Sequence, residues 1–159
     1  MNSSLRNVSA VFLLSLTLFL ACKPADEEFS SDLDTFATRY AAAWSSQDPV
    51  AFAASYAPDG VLRVNDGEPS VGRDAIAATA GSFMAAFPDM LVRLEELRET
   101  DEGIEFHWHW TGTNTGPGGN GNSVDLRGYE VWTLNGEGLI RQSLGHYDEA
   151  EYARQMAAE

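Results

Sequence analysis

The chain has 159 residues, of which 44% are hydrophobic. That is enough for one buried core, since domains usually contain roughly 100–150 residues. Its formal net charge is −14, from 10 basic and 24 acidic residues, and such a surface repels nucleic-acid phosphates and anionic membrane surfaces. We therefore expect a single acidic domain that does not bind nucleic acid.

Residues 1–21 have the layout of a secretory signal. A short start containing Arg6 precedes an apolar run from Val8 to Leu20, and the small residue Ala21 comes before Cys22. The run is shorter than the roughly 20 apolar residues of a membrane span. We predict a signal peptide over 1–21 that is cleaved during export.

The segment Leu18-Phe19-Leu20-Ala21-Cys22 resembles a bacterial lipobox, in which the cysteine is diacylated and becomes the new first residue. The resemblance implies a lipid anchor at Cys22 that tethers the domain at the cell envelope, on the periplasmic side of a bacterial membrane or at the cell surface. The alternative is an ordinary signal peptide with an incidental cysteine. Cys22 is the only cysteine, so the mature domain has no internal disulfide.

Residues 22–29 are polar and charged and predict a flexible tether, which leaves 30–159 as the domain. From Ser30 to Ser46, apolar residues recur every three or four positions, which predicts an amphipathic helix. Asp48-Pro49 ends that helix and begins another, because proline is tolerated at a first helical position.

The remaining elements predict an α+β fold in which helices cover one face of a curved antiparallel sheet. Asn135–Gly138 is a hairpin signal between the last two strands. The predicted helices cover 50–56, 75–87 and 148–156. The predicted strands cover 61–65, 90–99, 103–113, 123–134 and 139–147.

Several short motifs follow this order of elements along residues 30–158. They are Trp44 with Asp48, Tyr56-Ala-Pro-Asp-Gly60, Gly72-Arg-Asp-Ala-Ile76, Phe87-Pro-Asp-Met90, Thr111-Gly-Thr-Asn-Thr-Gly116, Gly138-Leu-Ile140 and Tyr147-Asp148. Together they resemble the SnoaL-like polyketide cyclase family of the nuclear transport factor 2-like superfamily. The resemblance implies a cone with an apolar pocket at one end, and frequent dimers through the outer sheet face. It does not select a reaction, because the fold also hosts isomerases, dehydratases, epoxide hydrolases and ligand-binding proteins.

The resemblance also implies positions for a catalytic pair. The cyclases use an aspartate on the last strand as base, assisted by a histidine on the neighbouring strand. Counted from Gly138-Leu-Ile140, the aspartate position is Gly145 and the histidine position is Glu130, so the usual base is missing. Asp148 matches a second family aspartate and is a candidate either for catalysis or for capping the last helix.

Glu130 is the first candidate for chemistry. Pairing Leu134 with Leu139 places Glu130 opposite Ser143, and strand alternation gives five residues of this strand a shared core-side face. These are Val124, Leu126, Glu130, Trp132 and Leu134. A carboxylate on an apolar face loses hydration, so its pKa should rise towards that of a general acid or base. The alternatives are an ion pair with Arg141 or Arg127, or a bulge that turns Glu130 outward.

His146 is a second candidate. Strict alternation points it away from the pocket, but Gly128 and Gly145 could permit a bulge that turns it towards Glu130. The two would then form an acid/base pair near neutral pH. The alternative is a hydrogen-bonding role at the end of the strand.

His107 and His109 alternate with aromatic residues along one strand. Two histidines could chelate zinc, but two further ligands are needed and only Glu105 shares their side of the strand. We expect no metal there and the histidines on the outer sheet surface. The sequence also has no Gly-rich phosphate loop between a strand and a helix, no nucleophilic Ser elbow and no Cys-His pair, so we expect no cofactor.

The aromatic residues that we expect to line a pocket, or the core beside it, are Tyr40, Trp44, Tyr56, Phe83, Phe87 and Trp132. We expect an exported, lipid-anchored SnoaL-like domain that binds a small hydrophobic molecule. Glu130 and His146 would make it a proton-transfer enzyme of the isomerase, cyclase or hydrolase type. The alternative is a non-catalytic envelope module that carries a ligand or pairs with another protein.

Overall fold

The structure is a computed structural model that describes residues 25–157. The predicted signal peptide and Cys22 lie outside these residues. Over the described range the helices are α1 Ala25–Ser45, α2 Pro49–Ala53, α3 Arg73–Ala86 and α4 Glu149–Met156. The strands are β1 Tyr56–Val64, β2 Ser70–Val71, β3 Leu91–Thr100, β4 Gly103–Thr113, β5 Ser123–Leu134 and β6 Ile140–Tyr147. None of these four helices combines the length and the apolar character that crossing a membrane requires.

The strands form one six-stranded curved sheet in the order β2-β1-β6-β5-β4-β3. All neighbouring pairs are antiparallel except β1 with β6, which run parallel. A parallel pair needs a long crossover, and here helix α3 with the β3–β5 meander supplies it. The predicted α+β class with helices against a curved sheet is confirmed.

The junction between α1 and α2 follows from local chemistry. The Asp48 Oδ1 atom accepts hydrogen bonds from the backbone N–H groups of Val50 and Ala51 at 3.1 and 2.9 Å. These groups lack partners inside the helix, so an N-terminal aspartate stabilises it. Pro49 occupies the first helical position, where its missing N–H costs nothing. The predicted break at Asp48-Pro49 is confirmed.

Three predicted boundaries were wrong by three residues or more, one of which is the end of α2, at Ala53 rather than at Tyr56. Residues 25–29, predicted as tether, belong to α1. Strand β1 begins at Tyr56 rather than at Val61, because Pro58-Asp59-Gly60 lies inside the strand as an irregularity in its pairing with β6. A Cβ atom at Gly60 would lie 2.9 Å from the Ile140 carbonyl oxygen, so glycine permits this approach.

The β5–β6 hairpin is confirmed, but its predicted register was wrong by two residues. The Asn135 N–H group donates to the Leu139 carbonyl oxygen at 2.8 Å, and a bulge at Arg141 shifts the pairing once more. Glu130 therefore faces Gly145, and Trp132 faces Ser143. An even shift leaves each side chain on its predicted face.

The core lies between the helices and the inner face of the sheet. Its largest members are aromatic and essentially inaccessible to solvent: Tyr40, Phe52, Tyr56, Phe87, Phe106 and Trp132. The Phe106 and Trp132 rings stack with centroids 4.7 Å apart, and the Tyr40 ring meets Trp132 edge to face at 4.8 Å. This packing surrounds one charged residue, Glu130, whose exposed fraction is 5%.

Candidate functional site

A cavity of about 60 Å³ opens beside this core. Its walls are almost entirely apolar and come from α1, α3 and the inner face of the sheet. The aromatic walls are Trp44, Phe83, Trp108, Trp110 and Tyr147. Glu130 is the only carboxyl-bearing residue among those that line it.

Three of the aromatic walls meet at nearly right angles. The Phe83 ring is 87° from Trp44 and 85° from Trp110, with centroids 6.1 and 6.0 Å apart. Trp44 is on α1, Phe83 on α3 and Trp110 on β4, so the arrangement of these three rings depends on how the helices dock against the sheet. Edge-to-face pairs of this kind are favoured by the ring quadrupole.

The position of the fourth wall, Trp108, depends on a glycine. Trp108 on β4 pairs with Gly128 on β5. A Cβ atom at Gly128 would collide with the Trp108 indole and with the His146 carbonyl oxygen. Gly128 therefore allows the indole to lie across the strand, and it makes no bulge, because the pairing of β5 with β6 is regular at that point.

Three hydrogen bonds to Oε2 fix one oxygen of the Glu130 carboxylate. The donors are the Tyr40 hydroxyl at 2.7 Å, the Ser143 hydroxyl at 2.6 Å and the Trp132 indole N–H at 3.0 Å. They come from α1, β6 and β5. Oε1 receives none of the three. Oε2 is therefore fixed in the core, and Trp44 acts on the carboxyl group as a further donor.

Burial raises the pKa of Glu130 above its ordinary value, and hydrogen bonds from Ser143, Trp132, Tyr40 and Trp44 act against that rise. Desolvation disfavours the charged carboxylate, whereas donors favour it. The net upward direction brings the group closer to neutral pH, which is where a general acid or base is most effective.

A second tyrosine extends the hydrogen-bonded group. The Tyr56 and Tyr40 hydroxyls are 2.8 Å apart, and Tyr40 donates to Glu130. Burial, and then the nearby Glu130 charge, raise the pKa of both phenols well above the ordinary value. Both tyrosines are therefore neutral donors at physiological pH.

Neither alternative predicted for Glu130, an ion pair with an arginine or a bulge that turns it outward, is found among the described residues. Arg127 pairs with Glu95 on the exposed surface, with Nε to Oε1 at 3.0 Å, and among the described residues no ion pair joins Glu130 to Arg127 or to Arg141. The side chain also points inward. Gly145, directly opposite, leaves room for it, since a Cβ atom there would lie 3.7 Å from the Glu130 Cγ atom.

The expected pairing of Glu130 with His146 was wrong. The His146 ring stacks on Tyr129 at 4.8 Å, and Tyr129 alternates with Glu130, so both rings lie on the outer sheet face. The bulge that was to turn His146 inward lies instead at the hairpin end of the strands. His146 is also among the residues that line the cavity, but its ring stacks on Tyr129, so it is not the partner of Glu130.

Asp148 caps α4. Its Oδ1 atom accepts a hydrogen bond from the Glu151 N–H group at 2.9 Å. It is exposed and is not among the residues that line the cavity. The capping alternative therefore describes the position of Asp148 better than the catalytic one.

The two histidines of β4 lie on the outer face with separate acidic neighbours. The His107 Nε2 atom is 2.8 Å from Glu105, and the His109 Nε2 atom is 2.7 Å from Asp125. Across residues 25–157 no group of three His, Cys, Asp or Glu side chains is arranged to hold a metal ion.

Of the six predicted aromatic residues, Trp44 and Phe83 line the cavity. Tyr40, Tyr56 and Trp132 lie behind Glu130 and form or extend its hydrogen-bonding shell, and Phe87 packs against Trp110 at 4.9 Å. Trp108 and Trp110 were not predicted as walls of the cavity, although their alternation with His107 and His109 indicates an inward aromatic face.

The family can now be stated from sequence. The model of the SnoaL-like domain matches residues 37–143, more than half of the chain. The chain belongs to the SnoaL-like domain family. No curated protein matches this SnoaL-like chain in sequence.

Solved structures share the fold. A Jannaschia sp. CCS1 protein, provisionally described as a SnoaL-like polyketide cyclase, has a TM-score of 0.71 and 18% identity over 82% of this chain and 94% of its own. A Catenulispora acidiphila protein with a ketosteroid isomerase-like fold, in complex with trimethylamine, has a TM-score of 0.67 and 19% identity over 76% of this chain and 91% of its own. The epoxide hydrolase/cyclase-like enzyme SalBIII, which acts in pyran ring formation in salinomycin, has a TM-score of 0.65 and 16% identity over 77% of this chain and 95% of its own.

Proposed function

We propose that this SnoaL-like domain binds a compact, largely apolar molecule in the cavity and that Glu130 exchanges a proton with it. The observation that carries the proposal is a buried carboxyl group, with a raised pKa, among the residues that line an aromatic cavity. Titratable groups placed in this way are typical of acid/base sites. The reaction class is proton transfer, as in isomerases, cyclases and hydrolases.

The two oxygens of Glu130 have different roles in this proposal. Oε2 accepts three hydrogen bonds, so a proton on the carboxyl group resides on Oε1. Oε1 is then the atom that gives the proton to a bound molecule or takes it away. Tyr40, Ser143 and Trp132 act as positioning residues, because they hold the other oxygen.

Gly145 makes the site different from the cyclase arrangement that the sequence resemblance implies. The aspartate position holds no side chain, and Glu130, at the histidine position, faces it across the strand pair. In the proposal a single carboxyl group replaces the aspartate and histidine. SalBIII and the Catenulispora protein support it to this extent: the same fold accommodates an enzyme in the first and a small ligand in the second.

The test begins with the molecules that copurify with the protein. Extraction and mass spectrometry of the wild type should identify a compound that is absent from a Gly145→Leu variant, whose side chain would fill the cavity. The same compound is then incubated in D₂O with wild type and with Glu130→Gln. The wild type should incorporate deuterium or convert the compound, and Glu130→Gln should not.

Two results would contradict the proposal. Equal retention of every compound by Gly145→Leu would exclude binding in the cavity. Full conversion by a folded Glu130→Gln protein would exclude proton transfer by Glu130. Retention without conversion by either protein would favour the second candidate, a ligand carrier, for which Gly145 at the base position is the supporting observation.

We also propose that the domain is exported and held at the cell envelope by a lipid on Cys22. The signal-like segment before Cys22 supports this location. Mass spectrometry of the protein expressed in a bacterium should show a chain that begins at Cys22 and carries acyl groups, and Cys22→Ser should be neither cleaved at that site nor acylated. Wild-type protein that retains Met1 would contradict the proposal.

The outer sheet face is the proposed surface for a homodimer. Tyr129, Val131 and Leu144 are half-buried there, although they face away from the core. Sedimentation of the wild type should show a dimer, and Leu144→Glu should shift it to monomer. A monomeric wild type would contradict this assembly.

A further inference from the structure

The aromatic walls of the cavity form a box with one acidic corner. Phe83 stands at nearly right angles to Trp44 and to Trp110, and Trp108 and Glu130 complete the lining on the sheet side. The faces of aromatic rings carry partial negative charge and attract cations within about 6 Å, most strongly for tryptophan. The box therefore combines a negative electrostatic character with apolar walls.

The charge balance of the site points the same way. No lysine or arginine is among the residues that line the cavity. Three donors converge on Oε2 and stabilise the carboxylate ion, yet no described basic group pairs with it. A buried ion without a counter-ion is unfavourable. A positive partner would therefore stabilise the ionised form of Glu130, and the described residues do not supply one.

We infer that the ligand of this cavity is a compact organic cation, a tertiary or quaternary ammonium group held between the aromatic box and the Glu130 carboxylate. The inference rests on the proposed function and names its ligand class. In this arrangement the methyl groups of the ammonium pack against the aromatic walls, and its charge lies beside the Glu130 carboxylate.

The proton balance differs between the two kinds of ammonium. A tertiary amine that enters uncharged takes the proton from Oε1 of neutral Glu130, and the product is a carboxylate paired with the protonated nitrogen. A quaternary ammonium has no place for a proton, so neutral Glu130 releases its proton to solvent when the cation binds. In both cases one O–H bond breaks and no oxidation occurs.

The size of the cavity limits the ligand. Its volume of about 60 Å³ is well below the roughly 150 Å³ of an engineered cavity that holds benzene. It encloses a head group of a few heavy atoms, and any longer part of the molecule lies at the open mouth.

The test uses two probes of the same shape. Choline and 3,3-dimethyl-1-butanol differ only in that a neutral carbon replaces the charged nitrogen. Binding is followed by calorimetry and by the fluorescence of the cavity tryptophans, near pH 8. For the wild type we expect choline to bind at least about tenfold more tightly than the alcohol, as for a desolvated cation over several rings.

Two variants separate the local charge from the overall charge. Glu130→Gln should bind choline about tenfold more weakly than the wild type, and its affinity for the alcohol should change little. Glu95→Gln removes the same unit of charge from the exposed surface, at a residue paired with Arg127, and should leave both affinities unchanged. Equal loss in the two variants would overturn the inference, because it would assign the preference to the net charge of −14.

A pH series on the wild type covers the case in which Glu130→Gln fails to fold. Choline affinity should rise with pH as Glu130 ionises, while the alcohol affinity stays flat. The other titratable groups that face Glu130 or line the cavity are Tyr40, Tyr56, Tyr147 and His146. The tyrosines remain neutral over this range, because burial raises the pKa of each. Phe106 from β4 and Ser143 from β6 are uncharged. A His146→Asn variant carried through the same pH series should keep the rise in choline affinity, which separates Glu130 from the histidine. A choline affinity that does not change with pH would overturn the inference.

The outcomes also separate this inference from the proposed function. If the alcohol binds as tightly as choline, or if neither probe binds, the ammonium ligand is excluded. Proton exchange by Glu130 with another compound is then decided by the D₂O experiment alone. If choline is preferred but no copurified compound is converted, the result supports an ammonium-binding site in a domain that acts as a carrier.

Discussion

Strands β4, β5 and β6 together carry titratable groups on both faces of the sheet, and the two faces differ in what those groups can do. On the inner face, Glu130 is buried and its pKa is raised by desolvation. On the outer face, His107, Tyr129 and His146 form a stack of three rings in contact with solvent. The chemistry of the site therefore comes from burial beside a cavity rather than from the number of titratable residues.

Glu151 shows the same contrast for one residue type. Its carboxylate accepts two hydrogen bonds from the exposed Arg154 guanidinium at 2.7 and 2.6 Å, which with a bond from Gln155 lower its pKa to about 2. Glu130 is also bonded to several donors, but burial outweighs them and its pKa moves up. Hydrogen bonds alone therefore do not decide whether the pKa of a glutamate rises or falls.

The largest expected difference between the faces concerns stability. Phe106 and His107 are neighbours on β4, with Phe106 fully buried and His107 half-buried on the outer face. Phe106→Ala should lower the free energy of unfolding by about 3–5 kcal/mol. His107→Ala should lower it by less than about 1 kcal/mol. Urea denaturation of both variants measures the difference, and similar losses would contradict the assignment of faces.

The two glycines of β5 and β6 give a smaller contrast. A Cβ atom at Gly128 collides with Trp108 and with the His146 backbone, whereas at Gly145 it makes ordinary contacts. Gly128→Ala should destabilise the fold by about 1–3 kcal/mol and alter the fluorescence of the displaced indole. Gly145→Ala should cost clearly less. Equal thermal stability of the two variants would show that the Trp108 wall does not depend on Gly128.

The pH dependence of stability should have opposite signs at the two glutamates. Because the folded-state pKa of Glu130 is raised, the folded protein keeps a proton that the unfolded chain releases, so its contribution falls as pH rises from about 4.5 to the raised value. Glu151, with its lowered pKa, contributes stability above about 4.5 that is lost as pH falls towards about 2.

Urea denaturation over a pH series tests this expectation with Glu130→Gln and Glu151→Gln. The difference between wild type and Glu130→Gln should change above about pH 4.5, with the wild type losing stability relative to the variant as pH rises. For Glu151→Gln the change should lie below that pH and run in the other direction. A flat difference for Glu130→Gln would mean that its pKa is not perturbed.

The smallest predicted effect concerns the tyrosine pair behind the site. Tyr40→Phe removes a donor to Oε2, so the pKa of Glu130 should rise further. Tyr56→Phe should raise it less, because Tyr56 reaches Glu130 through Tyr40. Carboxyl ¹³C NMR titrations of the two variants compare these shifts. A larger shift for Tyr56→Phe would contradict the order of the chain.

Local chemistry made much of the fold predictable. Asp48-Pro49 has a specific capping geometry, and strand alternation placed Glu130 and Trp132 on the inner face despite a wrong register. The bulge at Arg141 has no sequence signal of its own, so the partner of Glu130 was assigned incorrectly. His146 was misplaced for a related reason, since Gly128 serves the packing of Trp108 rather than a bulge.

The donors to Glu130 could not be predicted from spacing. Tyr40 lies 90 residues before Glu130, and only the packing of α1 against the sheet brings them together. Ser143 was predicted directly opposite Glu130, but in the structure it faces Trp132 and donates to Glu130 from this diagonal position. The aromatic alternation of β4 did carry a usable signal for Trp108 and Trp110. The arrangement of the rings, in contrast, depends on the docking of α1 and α3 against the sheet.

The titration of Glu130 itself tests the central claim most directly. Protein labelled with ¹³C at the glutamate carboxyl carbons gives one resonance that is missing from Glu130→Gln, and its chemical shift is followed from acid to neutral pH. We expect this resonance to titrate above the exposed glutamates and to change its midpoint when a ligand enters the cavity. A midpoint at or below that of the exposed glutamates, unaffected by any bound ligand, would contradict proton exchange at Glu130.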